Sequence, residues 1–229
     1  MPFPSDLESL IFDMDGVLID SEPLWKIAME DVFGKHGSQL TKKDFQKTVG
    51  IRIDEVVHFW NMEEKWGIAN EQAVVNDIID AMESLIYANP FPLRGVMDTL
   101  AFFKNSHFKT GLATSSPHRL MEAVLKSLNI KDAFDSIHSA ENESHGKPHP
   151  AVYLTASNSL GVKPTKCLVI EDSLNGIISA KAAKMKVVCI PEKTHSPEPK
   201  LILADYHYEN MESFLLDFSS RNKFPIHQD

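Results

Sequence analysis

The sequence predicts an α/β protein: a parallel sheet with helices on both faces, interrupted after its first strand by a separate all-helical insert. Three observations carry that expectation. Short apolar runs of strand length alternate with helix-length segments over residues 95–190, the rhythm of a sheet wound with crossover helices. Between Asp20 and Phe91 that rhythm stops, and helical periodicities follow one another with no strand between them. Several strand candidates also end on polar side chains, at the edge where open parallel sheets bind ligands.

Taken in order, Leu7, Leu10, Ile11 and Phe12 form a first buried strand that stops at Asp13, with Gly16 as the turn signal. Leu24, Ala28 and Val32 then recur every fourth residue, with Trp25, Met29 and Phe33 beside them. Ile53, Val56, Val57 and Trp60 repeat the pattern, as do Val74, Val75, Ile78, Ile79, Met82, Leu85 and Ile86. Asn89-Pro90-Phe91-Pro92 ends the helices, because each proline lacks an N–H and pushes its predecessor out of the helical region. A helix at 95–105, a strand at 109–114, a helix at 117–128 and a short apolar segment around 134–137 follow. Beyond a polar loop, Lys147-Pro148-His149-Pro150 opens a helix running through Leu160. The run Cys167-Leu168-Val169-Ile170 stops at Glu171-Asp172, Ser173 caps the next helix, and 186–190 is another strand. Residues 1–19 and 92–229 are therefore expected to form the sheet-bearing core, and 20–91 the helical insert.

Composition narrows the function classes. A chain of 229 residues suits one large domain or a core with a small insert, and 43 % hydrophobic residues exclude disorder as the dominant state. The net charge of −9 repels phosphate backbones, which argues against nucleic acid as a partner. No run approaches the roughly 20 apolar residues of a membrane helix, and the amino-terminal segment lacks the basic and apolar regions of a signal peptide. Cys167 and Cys189 each sit inside a strand candidate and read as buried thiols in a reducing compartment. The Asn142-Glu143-Ser144 sequon has no meaning without export. The expectation is a cytoplasmic monomer.

Three strand ends carry the chemistry: Asp13 and Asp15 after the first, Thr114 and Ser115 after the second, Glu171 and Asp172 after a later one. Singly, each has an ordinary structural use, since Asp-Gly marks turns and Ser or Asp caps helices. Carboxylates converging from two strand ends repel one another unless a cation or shared proton compensates, and oxygen-only ligation suits Mg²⁺. The Thr114 and Ser115 hydroxyls, with a lysine nearby, would supply donors for an anion.

The segment from Asp13-Met14-Asp15-Gly16 to Asp20-Ser21-Glu22 resembles motif one of the haloacid dehalogenase superfamily. Thr114-Ser115-Ser116, Lys147-Pro148-His149-Pro150 and Glu171-Asp172-Ser173-Leu174-Asn175-Gly176 are similar to its motifs two, three and four, in the expected order. The insert resembles the small helical cap of the beta-phosphoglucomutase-like branch. Within that branch Asp20-Ser21-Glu22-Pro23-Leu24-Trp25 and Val49-Gly50-Ile51-Arg52-Ile53-Asp54 are similar to hexitol and 2-deoxyglucose-6-phosphate phosphatases.

The resemblance implies a Rossmann-like core and a Mg²⁺-dependent phosphatase acting on a small phosphorylated metabolite, a sugar or sugar-alcohol phosphate. Asp13 matches the nucleophile that forms an aspartyl-phosphate, and Asp15 the general acid and base. Thr114, Ser115 and Lys147 match the phosphoryl-holding groups. Asp13, the Asp15 carbonyl and Asp172 match the metal ligands, with Glu171 direct or through water. Glu22, Trp25 and Arg52 are candidate substrate contacts from the cap, although Trp25 also fits its core and Arg52 a surface charge. Asp15 separates this chain from the dehalogenases, whose halide leaves without protonation. A beta-phosphoglucomutase is the alternative; there a histidine stands where Trp25 does, and an indole has a donor but no acceptor. A noncatalytic phosphate-binding module would be expected to have lost an acid, yet Asp13, Asp15, Lys147 and Asp172 are all present. The cap lysines Lys26, Lys35, Lys42, Lys43, Lys47 and Lys65 read as solvated charges, and His145 and His149 as loop residues rather than a second metal site.

Overall fold

Alternation along the first strand decides what each face of the sheet buries. The computed structural model describes residues 2–41, 43–191 and 199–222; residue 1, Lys42 and residues 192–198 and 223–229 lie outside them. Its sheet has β1 (Ser9–Phe12), β2 (Lys109–Thr114), β3 (Ser136–Ser139), β4 (Cys167–Glu171), β5 (Lys186–Cys189) and β6 (Tyr206–His207). Their spatial order is β3-β2-β1-β4-β5-β6, and every pair is parallel. The helices are α1 (Glu22–Gly34), α2 (Ile53–Glu64), α3 (Glu71–Ala88), α4 (Val96–Lys104), α5 (His118–Leu128), α6 (Ala151–Leu160), α7 (Leu174–Ala182) and α8 (Met211–Asn222).

Successive side chains of a strand point to opposite faces. Leu10 and Phe12 enter one core cluster with Leu112, Leu168, Ile170 and Val188, covered by α4, α5 and α8. Ile11 enters the other with Ala113, Val169 and Val187, covered by α6 and α7. Helices thus lie on both faces, as the alternating pattern predicts. Phe12 pairs in register with Leu112 on one side and Ile170 on the other. The residues just beyond, Asp13, Ala113-Thr114 and Glu171-Asp172, emerge together at one edge. Because β2 and β4 flank β1 on opposite sides, the crossovers diverge there and leave a crevice.

Between β1 and α4 the chain contributes α1, α2 and α3 and no strand of the sheet. Helix α3 packs against α1, α2 and α5. The two ends of this helical segment meet where Ile19 bridges both Asp15 and Pro92. At its far side the segment returns to the sheet edge: Gly50 O accepts from Ser115 Oγ at 3.0 Å, and Val49 O from Asn175 Nδ2 at 2.9 Å. Gly50 has φ +80°, and a Cβ there would stand 2.7 Å from Ser173 Oγ, so the close approach requires glycine.

The short apolar segment read at 134–137 overlaps only the start of β3, which runs Ser136–Ser139. Phe134 instead packs against Phe12, with ring centroids 6.0 Å apart, and the Asp135 carboxylate accepts from Thr110 N at 2.7 Å. Strand β6 and helix α8 lie beyond the last predicted element. β6 is two residues long, too short for a period, and α8 is held by Phe214 and Phe218 packing on Phe3 and Phe103. Among the described residues no helix is long and apolar enough to cross a membrane.

Phe12 is fully buried between Phe103 and Phe134 directly below the sheet edge. Phe12→Ala is expected to cost about 3–5 kcal/mol through the cavity it leaves. Urea unfolding measures it, and a loss below about 1 kcal/mol would contradict this packing.

Candidate active site

Asp13 and Asp15 stand two positions apart with Met14 between them, and both line one cavity. Leu18 N donates to Met14 O at 2.8 Å and Gly16 N to Ile19 O at 3.0 Å, which curls the chain immediately after β1. Gly16 has φ +68°, and a Cβ on it would fall 2.0 Å from Asp172 Oδ2, so only glycine lets the loop close on the β4 end. Asp15 is gripped from two directions. Its Oδ1 accepts from Ser21 Oγ (2.5 Å) and Trp25 Nε1 (3.1 Å); its Oδ2 accepts from Ser116 Oγ (2.6 Å), with Thr114 Oγ1 at 3.5 Å.

Beneath the cavity lies a buried charge cluster. Lys147, 2 % exposed, donates from Nζ to Asp13 Oδ1 and Glu171 Oε1, both at 2.8 Å, and to Ala113 O at 3.2 Å. Tyr153 donates its hydroxyl to Glu171 Oε1 at 2.6 Å, and its ring lies 4.7 Å from the ammonium. Glu171 Oε2 accepts from the backbone N–H groups of Asp172 (3.0 Å) and Ser173 (3.1 Å) and from Ser173 Oγ (3.1 Å). Burial pushes the Asp13 carboxyl up to about 7; Lys147 opposes the rise, while Glu171 and Asp15 add to it. Burial works against the Glu171 carboxylate too, but Lys147, Tyr153 and Ser173 hold its pKa below the usual value. The two carboxyls differ because Glu171 is surrounded by donors on both oxygens, whereas Asp13 has chiefly the shared ammonium. Burial likewise disfavours the Lys147 cation, yet Asp13 and Glu171 outweigh it and keep its pKa above the lysine range.

The donor set fits a hard divalent cation. Carboxylate oxygens of Asp13, Glu171 and Asp172 lie within 4.8 Å of one another, and the buried Lys147 ammonium is shared between Asp13 and Glu171. Glu171 reaches the same point with both oxygens already accepting hydrogen bonds. Neither His145 nor His149 belongs to this cluster.

The other expected residues divide. Ser115, Glu22 and Trp25 line the cavity, and so do Ser116, Ser21 and Ser173. Thr114 stands behind it, fully buried, its hydroxyl accepting from Ser116 N at 3.0 Å. Arg52 is not a cavity residue: its guanidinium donates to Asp54 and to the carbonyls of Ala140 (3.2 Å) and Glu143 (2.9 Å). The sequence offers it as a substrate contact, but carbonyls from the loop after β3 compete for it. Lys26 corrects the solvated reading of the cap lysines, being 6 % exposed with Glu22 Oε1 at 3.4 Å. Ser116 and Ser21 sit inside the quoted motifs and could have been picked out there; Tyr153 has no signal beyond a helix position.

The chain matches the family model for haloacid dehalogenase-like hydrolases over residues 10–190. It is 39 % identical over 206 residues to hexitol phosphatase B of Escherichia coli strain K12, covering 90 % of this chain and 93 % of that one. A fructose-1-phosphate phosphatase of the same organism is 31 % identical, covering 78 % and 94 %. Among solved structures, a beta-phosphoglucomutase from Clostridium difficile superposes with a TM-score of 0.81 at 24 % identity, covering 95 % and 98 %.

The raised pKa of Asp13 has a consequence for stability. Between the ordinary 3.8 and about 7 the folded chain holds a proton that the unfolded chain has released. Stability from this group is therefore complete below 3.8 and lost as pH rises through about 7. In a chelator without divalent cation, Asp13→Asn should gain stability relative to wild type across that window. Urea unfolding at stepped pH reads the difference, and parallel profiles would contradict the charge balance described.

Proposed function

This chain belongs to the haloacid dehalogenase-like hydrolases, and we propose that within that family it is a Mg²⁺-dependent phosphatase of small sugar or sugar-alcohol phosphates, working through an aspartyl-phosphate. The observation that carries the reading is the pair of acids on one turn, Asp13 over the buried Lys147 and Asp15 held toward the same cavity. The substrate class is supported by the relatives, named for hexitol phosphates and fructose 1-phosphate. The helical segment, residues 20–91, is taken as the cap that roofs the cavity.

In this mechanism an Asp13 carboxylate oxygen attacks phosphorus, and Asp15 gives its proton to the departing alkoxide. Asp15 then takes a proton from water, which attacks the phosphoryl-Asp13 anhydride and releases inorganic phosphate. Lys147 and the Ser115 backbone would steady the phosphoryl oxygens, while Thr114, expected among them but buried behind the cavity, would brace Asp15 and Ser116. Asp13, Asp172 and the Asp15 carbonyl would hold Mg²⁺, and Glu171, its oxygens already bonded, would act through water. When bound, the cation supplies the charge that keeps Asp13 ionised and offsets its repulsion from the phosphate.

Against the mutase alternative stands Trp25, whose Nε1–H donates to Asp15 at 3.1 Å. An indole orients the carboxylate but has no acceptor with which to exchange a proton, so nothing of histidine character gates water from the intermediate.

Phosphate release from a panel of hexose and hexitol phosphates, with and without Mg²⁺, tests the reading. Asp13→Asn is expected to abolish turnover in a folded protein, and Asp15→Asn to lose on the order of 10²–10⁴-fold in rate. Asp172→Ala should raise the Mg²⁺ concentration needed for half-maximal activity. Normal turnover by Asp13→Asn, or identical Mg²⁺ titrations for wild type and Asp172→Ala, would refute it. In a second assay, beta-glucose 1-phosphate with a bisphosphate primer should yield free phosphate and little glucose 6-phosphate. Efficient glucose 6-phosphate formation with negligible phosphate would decide for the mutase.

A further inference from the structure

Every formal charge on the cavity wall is negative. Among the described residues lining it are Asp13, Asp15, Asp172 and Glu22, and none is Lys, Arg or His. The three aspartates belong to the reacting end. Glu22 lines the cavity from the first turn of α1, next to Ser21, whose hydroxyl bonds Asp15, and its side chain is 14 % exposed. Around it the roof is largely apolar, with Met29, Phe45, Val49, Ile53 and Val56. The cations that could have faced a second anion are committed elsewhere. Lys147 is buried beneath Asp13, and Arg52 spends its guanidinium on Asp54 and the carbonyls of Ala140 and Glu143. Lys26 sits one turn along α1 behind Glu22 and does not line the cavity.

The cavity holds about 70 Å³, far below the roughly 300–1,000 Å³ of sites for drug-sized ligands. A leaving group enclosed in so small a space would give up much of its hydration. Polyol hydroxyls can donate to a carboxylate such as Glu22, and their carbon skeleton suits the apolar roof. A second phosphate or a carboxylate on the same skeleton would lose water, meet no cation and face a like charge.

We propose that Glu22 makes this cavity selective for monophosphate esters with an uncharged leaving group, so that bisphosphates and carboxylate-bearing phosphates are rejected by charge. The proposal rests on the phosphatase reading above and adds the residue and the rule of selection. It is distinct from shape selection, because the pairs it separates differ at one terminal group.

The test measures kcat/KM for matched substrates: glucitol 6-phosphate against 6-phosphogluconate, and fructose 1-phosphate against fructose 1,6-bisphosphate. Wild type should prefer the member of each pair whose leaving group is uncharged by at least roughly tenfold, since like-charge juxtaposition at a desolvated site costs that much or more. Glu22→Gln removes the carboxylate while Lys26 keeps its charge, so the preference should shrink several-fold. Glu22→Asp should retain it, which separates loss of charge from loss of fold. Equal kcat/KM within each pair for wild type, or an undiminished preference in Glu22→Gln, would overturn the proposal. Failure to hydrolyse any of the four substrates, or p-nitrophenyl phosphate, would instead overturn the phosphatase reading beneath it.

Discussion

A buried ammonium must find its counter-charges inside the protein, and much of this site is arranged around that demand. Lys147 reaches the sheet edge from the loop before α6 and touches groups at the ends of three strands, Asp13 after β1, Ala113 O in β2 and Glu171 in β4. Tyr153, from α6 itself, closes the set. Removing Lys147 would leave Asp13 and Glu171 buried without their shared cation, at a cost of about 3–5 kcal/mol. The cluster therefore locks strand ends and loop into one relative position. Asp13 keeps its raised pKa because burial outweighs the help of an ammonium it shares with Glu171, which has further donors on both oxygens.

The region above the cluster has the opposite character. Val49 and Gly50 bring their carbonyls down to Asn175 and Ser115, and Arg52 reaches across to the carbonyls of residues 140 and 143. These bonds seat a largely apolar roof on a polar floor. An enclosed site of low dielectric strengthens the interactions of the floor and makes any unpaired charge in the roof costly. The proposed reactivity at Asp13 and the proposed selectivity near Glu22 would both draw on the same exclusion of water.

Legibility followed the physics of each residue. Asp13, Asp15, Glu171 and Asp172 were visible because hydrophobic patterning has no use for carboxylates at the ends of buried strands. Lys147 was visible only through its motif, since one lysine beside a proline has no periodic signal. Tyr153 looked like any helix residue, and its hydroxyl found Glu171 because α6 packs against the sheet at that height. Strand β6, two residues at the sheet edge, has no period to read.

The sequence by itself determined the alternation of strands and helices, the helical insert after β1 and the chemical types gathered at the strand ends, because these depend on local periodicity and turn chemistry. Tertiary structure alone decided where the side chains point. Arg52 turned to carbonyls about ninety residues away, Lys26 went into the interior, Thr114 sat behind Asp15, and Glu22 came to the cavity wall. Each of these outcomes is a competition among partners distant in the chain, settled by desolvation and hydrogen bonding once the elements have packed, and no local pattern encodes the winner.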